Sequence, residues 1–294
     1  MKGYIAMNIN DYKGLEIVKR LKTEPERMAY LLNFAQMHIN YGDNVEWQKL
    51  ENQIWLCDET RDYLYGTAPG PVKYVKGTRP VLEAEVARVI LGCKTDRERV
   101  LAILVFIRDL YLHNGKEIPK ELVFYGGTEE VLIAKGENLC ECVGRLMVAL
   151  CEIIGLPGRI VMHLRGHITC EIYLEGKWCY FDPRAGLFYV DENDRFLSVA
   201  ELVDNREYLM KQPEWVKPYV SKQFTFEQRR DKNYKYFMSK KEINLFVDYS
   251  LMDAPKYNYN VKTYAAADKD GLMRINPLYV SYLKQMFGED DHSI

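Results

Sequence analysis

The chain has 294 residues, 48% of them hydrophobic, and its 40 lysines and arginines against 42 aspartates and glutamates leave a formal charge of −2. That is enough apolar chain to bury a large core, as one elaborated domain or a core with extensions. The near balance of charge excludes a global field drawing the protein to nucleic acid or an anionic membrane, so neither is expected as a partner. The N-terminus has no apolar run of signal-peptide length and nowhere do eighteen apolar residues follow one another, so a cytoplasmic location is expected. The seven cysteines are odd in number, and four lie in apolar periodic stretches, which suits reduced, buried thiols better than a disulfide framework.

Residues 1–78 are expected to form an N-terminal helical region. Thr23-Glu24-Pro25-Glu26 reads as a capping box opening a helix with Met28, Leu31, Leu32, Ala35 and Ile39 on one face. The spacing of Trp47, Leu50, Ile54, Cys57 and Leu64 predicts a second helix over 45–65. Gly66-Thr67-Ala68-Pro69-Gly70-Pro71 then breaks regular structure and marks a boundary. It lacks the Gly-Lys-Ser/Thr ending and following helix of a phosphate-binding loop, and reads as a turn.

Residues 79–200 are the expected catalytic core. A short helix is predicted over Leu82 to Leu91, and Thr95-Asp96-Arg97-Glu98 caps a more apolar one with Val100, Ile103, Leu104, Ile107, Leu110 and Tyr111 inward, ended by Asn114-Gly115. Gly126-Gly127 marks a turn in an ambiguous stretch. From Cys140, the positions Val143, Leu146, Met147, Leu150, Ile153 and Ile154 mark an amphipathic helix stopped by Gly155 and Pro157. The period then changes: Arg159 to Leu164, His167 to Leu174 and Lys177 to Asp182 read as strands, the last two joined by a hairpin turn at Glu175-Gly176.

Cys140 therefore stands at a helix N-terminus, where unpaired N–H groups and the helix dipole stabilise a thiolate. If the turn centres on Glu175-Gly176, Asp182 lies opposite Thr169 and diagonal to His167 on the same sheet face. A helix-start thiol, a histidine to take its proton and a carboxylate to orient the imidazole make the arrangement that nucleophilic acyl transfer uses. Cys142 competes with Cys140 as the nucleophile, and both could be plain buried hydrophobes. Cys140, Cys142, His163 and His167 could instead hold zinc, although Cys-x-Cys is not the usual ligand spacing. His38, His113, His163 and His292 read as structural.

These residues resemble the transglutaminase-like superfamily of papain-like fold. In that family a cysteine opens a helix that ends, fifteen residues later, in Gly-Ile/Leu-Pro-x-Arg, which Cys140 and Gly155-Leu156-Pro157-Gly158-Arg159 match. The family's histidine begins an apolar strand containing Glu, as in His167-Ile168-Thr169-Cys170-Glu171, and its aspartate lies in Trp-x-x-x-Asp-Pro, as in Trp178 to Pro183. The resemblance spans roughly residues 80–190. It implies an α+β, papain-like core in which the helix bearing the nucleophile packs on an antiparallel sheet. It favours Cys140 over Cys142, explains the same residues without a metal or other cofactor, and implies a hydrolase acting on a peptide or protein amide. Alternatives are transfer to an amine, as in a transglutaminase, or a catalytically silent binding module. Arylamine-type acetyl transfer lacks its Arg-Gly-Gly before the cysteine. The Cys140 backbone N–H is one oxyanion donor; in the family the second is a side chain before the cysteine, for which Tyr125 and Asn138 are the candidates.

Beyond the core, Leu187 to Val190 and Arg195 to Leu197 are predicted strands around a solvated Asp191-Glu192-Asn193-Asp194 turn, and Ser198-Val199-Ala200-Glu201 caps a helix. Residues 201–294 read as a C-terminal extension packed on the core, with a strand at Ile243 to Tyr249 and a final helix opening at Pro277. Tyr234, Tyr236, Tyr257, Tyr259 and Tyr264 read as anchors of that extension. Nothing in the sequence sets the oligomeric state.

Overall fold

A computed structural model of the chain describes residues 53–56, 58–113, 128–135, 140–163, 167–237, 244–248, 250–252, 266–267 and 273–274. The helix capped at Thr23, the Gly126-Gly127 turn, Tyr125, Asn138, His38, His292, three of the tyrosines (257, 259 and 264) and the helix at Pro277 lie outside them. The chain forms two compact units, one of 1–67 with 259–294 and the other of 68–258.

In the first unit, the single helix predicted over 45–65 is instead a strand, Gln53–Trp55, followed by a helix, Asp58–Tyr65. Ile54 and Trp55 favour extended backbone, and Asp58-Glu59 supplies the negative charge that favours a helix start. The two-residue strands Ala266–Ala267 and Met273–Arg274 pair antiparallel.

The second unit is α+β. Helix α1 (Pro80–Val89) opens with proline, whose fixed φ suits the first helical turn, and buries Leu82 and Val86. Helix α2 (Asp96–His113) begins at a reciprocal capping box: the Glu98 N–H donates to Thr95 Oγ1 at 3.2 Å and the Thr95 N–H to Glu98 Oε2 at 3.1 Å. Val100, Ile103, Leu104 and Ile107 on its inner face are fully buried. Each such side chain contributes about 1.5–3 kcal/mol by leaving water, and truncation of Ile107 to alanine would cost about 2–5 kcal/mol. A short helix α3 (Glu129–Lys135) precedes helix α4 (Cys140–Ile153), which packs against α2 and on the sheet.

Strands β1 (Gly158–His163), β2 (His167–Leu174) and β3 (Lys177–Phe181) form an antiparallel meander, and β4 (Asn244–Asp248) adds antiparallel to β1, in the order β4-β1-β2-β3. The turn between β2 and β3 has positive φ at both Glu175 (55°) and Gly176 (80°), as a two-residue turn that follows the twist of its strands requires. It fixes the register with Cys170 opposite Phe181.

After Asp182 the predicted strands reduce to isolated bridges, Asp182 with Leu187 and Val190 with Phe196. Their backbone groups are divided among different partners: the Tyr180 N–H donates to Leu197 O and the Leu197 N–H to Tyr189 O. Helix α5 (Val199–Asp204) has the predicted Ser198–Glu201 capping box. A four-residue helix α6 (Glu207–Met210) and a 3₁₀ turn (Glu214–Tyr219) lead to helix α7 (Phe226–Phe237). Another capping box opens α7, with the Thr225 N–H on Gln228 Oε1 and the Gln228 N–H on Thr225 Oγ1. Its buried stripe, Phe226, Arg229, Asn233 and Phe237, keeps helical spacing but is half polar, so apolar periodicity does not reveal it.

Candidate active site

The strand register sorts side chains onto two faces. Arg159 lies opposite Glu171, Val161 opposite Thr169 and His163 opposite His167, so these share one face, and the alternation places Tyr180 and Asp182 there too. Helix α7 covers this face. The Phe237 ring meets the rings of His163 and Tyr180 edge-on, each at 5.5 Å, and the Asn233 amide donates to the hydroxyls of Tyr180 at 3.0 Å and Tyr189 at 3.3 Å.

Polar groups so enclosed must satisfy one another. Glu171 takes two bonds from Arg159 on Oε2, at 2.6 and 2.9 Å, and the Val199 N–H on Oε1 at 2.7 Å. The guanidinium lies between Trp178 and Phe246, 4.1 and 4.4 Å from their ring centroids. The buried pair is thus satisfied on both sides, and removing either partner alone would strand a charge.

The opposite face receives α4. Gly144, one turn after Cys140, brings the helix against β2: a Cβ there would lie 3.3 Å from the Thr169 carbonyl oxygen. This close seat sets the start of α4 beside the start of β2. Cys140, half-buried, stands close enough to His167 and to the Ile168 N–H for both to act on its sulfur. His167 and Asp182 are both buried, and Nε2 of the imidazole meets Oδ2 of the carboxylate at 2.7 Å. That bond occupies Nε2, so Nδ1 is the ring nitrogen left to face the thiol. Asp182 Oδ1 accepts the Ala185 N–H at 3.3 Å, which fixes the carboxylate.

Burial alone would push the Cys140 thiol up, but the hydrogen bond and positive charge of His167, the Ile168 N–H and Arg184 together hold it below its ordinary value. Burial would likewise depress His167, yet the Asp182 charge, its hydrogen bond and the Cys140 contact raise it to about 9. Asp182 stays below the usual carboxylate range because its imidazolium partner outweighs desolvation. The three groups therefore favour a thiolate, an imidazolium and a carboxylate in a chain. Cys151, Cys170 and Cys179 behave oppositely: burial raises each thiol, and at Cys179 it outweighs the charge of Lys177. Cys142 is buried in the core side of α4.

His163 has the structural placement expected of it. It is stacked on His167 with ring centroids 6.2 Å apart, its Nδ1 meets Asn244 Oδ1 at 2.6 Å and its Nε2 meets Thr169 Oγ1 at 2.8 Å. Burial and the neighbouring positive His167 push it down to about 3, so it is neutral at physiological pH.

Residues 84–183 match the family model of the transglutaminase-like superfamily. This confirms the resemblance read from the sequence, and the matched stretch contains Cys140, His167 and Asp182. Neither the curated proteins nor the solved structures give a match to the chain. The superfamily is in general one of cysteine-dependent catalysis. Among the described residues, no group of three or more His, Cys, Asp and Glu side chains is gathered to hold a metal ion, and no helix is long and apolar enough to cross a membrane.

A pocket opens beside the buried pair, lined by His167, Asp182, Arg184, Ala185, Leu187, Arg229, Lys232 and Asn233. Arg184 and the three α7 residues are absent from the sequence-based set of candidates. The signal for α7 was Thr225-x-x-Gln228 with the Phe226, Arg229, Asn233 and Phe237 spacing; for Arg184 there was none beyond its place two residues after Asp182.

Proposed function

We propose that the protein is a cysteine-dependent acyl-transfer enzyme that cleaves an amide bond through Cys140, His167 and Asp182, on a papain-like core. The observation that carries this is the continuous chain from a half-buried helix-start thiol, through a buried imidazole, to a carboxylate 2.7 Å from its Nε2. The Cys140 thiolate attacks the carbonyl carbon and forms a tetrahedral oxyanion, with the Cys140 backbone N–H as one donor at the helix start. The His167 imidazolium gives its Nδ1 proton to the amine as the C–N bond breaks, leaving a thioester. His167, now neutral, takes a proton from water, the hydroxide attacks the thioester, and the carboxylic acid leaves as the thiolate and imidazolium are restored. Asp182 holds the ring so that Nδ1 faces the sulfur throughout.

Water is the proposed acceptor. An amine acceptor such as a lysine side chain approaches mostly as an ammonium, and Arg184, Arg229 and Lys232 around the pocket would repel it. Cys140→Ala removes the nucleophile and is expected to lower turnover of peptide amides by about a thousandfold or more while the far-ultraviolet circular dichroism and melting profile are retained. Full activity in that variant would end the proposal. Product analysis with added lysine separates the acceptors: free acid is expected, and an isopeptide product would reassign the reaction to amine transfer.

A further inference from the structure

The pocket beside His167 carries three cationic side chains, Arg184, Arg229 and Lys232, from two separate parts of the chain. The acid among its lining residues is Asp182, and that carboxylate is already engaged by the His167 imidazolium. Arg229 is buried, with its guanidinium carbon 3.5 Å from the centroid of the Phe224 ring, an arrangement that holds the fork flat and in place. Burial and the charges of Arg184 and Arg229 depress the Lys232 amine, while Asp182 and Cys140 act on it in the opposite sense. The cations are therefore close enough to feel one another and to feel the sulfur. Like charges gathered this way cost free energy that a bound anion offsets.

Resting on the reading of Cys140 as the nucleophile, we propose that this pocket binds a carboxylate of the acyl substrate, so that the enzyme selects acidic amide substrates. A carboxylate is the anion that amide substrates themselves bring, as an acidic side chain or a free C-terminus. Its two oxygens match a guanidinium fork, with the ammonium of Lys232 completing the charge. Arg229 and Lys232 lie on α7, beyond residue 183 where the family match ends.

The test uses the full chain and two alkylating agents of nearly equal size, iodoacetate and iodoacetamide, which transfer a CH₂ carbon to the Cys140 sulfur with loss of iodide. The iodoacetate-to-iodoacetamide rate ratio at Cys140 is expected to exceed that of glutathione, to fall about threefold or more in Lys232→Gln, and to shrink with added sodium chloride. Lys232 is exposed, so its replacement leaves the core alone, and the salt series needs no variant. A ratio unchanged by both Lys232→Gln and salt would overturn the proposal. A raised ratio on a thiol of ordinary reactivity would keep the pocket and break the nucleophile; an ordinary ratio on an activated thiol would do the reverse. Protection of Cys140 from iodoacetamide by acetyl-glutamate α-amide or by acetyl-Ala-Ala with a free carboxylate, each against its uncharged amide, identifies the source of the carboxylate. Equal protection by charged and uncharged forms would also overturn it.

Discussion

The stretch from Cys140 to Pro183 and the segment from Arg184 to Phe237 meet at one pocket but build it by different means. The first places its groups through regular structure: a helix seated on β2 by Gly144, and a hairpin whose two-residue turn sets which side chains share a face. The second is mostly irregular and closes over that face with one helix whose buried stripe is half polar. The contrast teaches that the chemistry and its enclosure are separable in sequence. A short core presents the thiol, the imidazole and the carboxylate, and the cover that follows it in the chain decides their dielectric and the charge a ligand meets.

Breaking the core should cost most. Asp182→Asn leaves the shape but removes the charge that orients His167 and stabilises its imidazolium form, and amide turnover is expected to drop by about 10²–10⁴-fold, measured as kcat/KM. A loss of tenfold or less would mean that the His167–Asp182 pair is structural. Breaking the cover should instead cost stability. Asn233→Ala takes away the amide donor of Tyr180 and Tyr189, and denaturant unfolding is expected to show a loss of about 1–3 kcal/mol. If it leaves stability unchanged, α7 does not hold this face closed.

A subtler distinction lies between two histidines of the core. His163 titrates near 3 folded, well below its unfolded value of about 6.5, so the unfolded chain binds the extra proton and stability falls as pH drops below about 6.5. His167, raised to about 9, contributes stability fully present below about 6.5 and lost as pH rises through 9. His163→Gln is therefore expected to flatten the acid side, where the wild-type folding constant changes by up to about tenfold per pH unit between 6.5 and 4. Chemical denaturation across that range reads the slope, and an equally steep variant would remove His163 as the cause.

Much of the core was legible because each of its steps has a local signal. The capping boxes at Thr95 and Ser198, the Glu175-Gly176 turn and the period change after Gly155 each mark an element boundary, and the register then follows from the turn alone. What escaped reading lacked such redundancy. The apolar spacing of Trp47 to Leu64 suits a helix, yet extended backbone takes 53–55, because short apolar runs fit either period. The strands read at 187–190 and 195–197 have the right residues, but their backbone partners are scattered. Helix α7 hides its buried face behind Arg229 and Asn233: Arg229 lies over the neighbouring Phe224 ring, while Asn233 is buried against Tyr180 and Tyr189, partners far away in the chain that meet it only on folding. The cationic pocket could not be read for the same reason, since its charges converge only once α7 docks.

The most direct test of the core's proposed role is the pH dependence of iodoacetamide alkylation at Cys140, followed by mass spectrometry of the intact full-length protein. The account predicts a half-maximal rate well below the ordinary thiol pKa of about 8.5, with Asp182→Asn shifting the midpoint upward toward it. A wild-type midpoint at the ordinary thiol value, unchanged in Asp182→Asn, would contradict it.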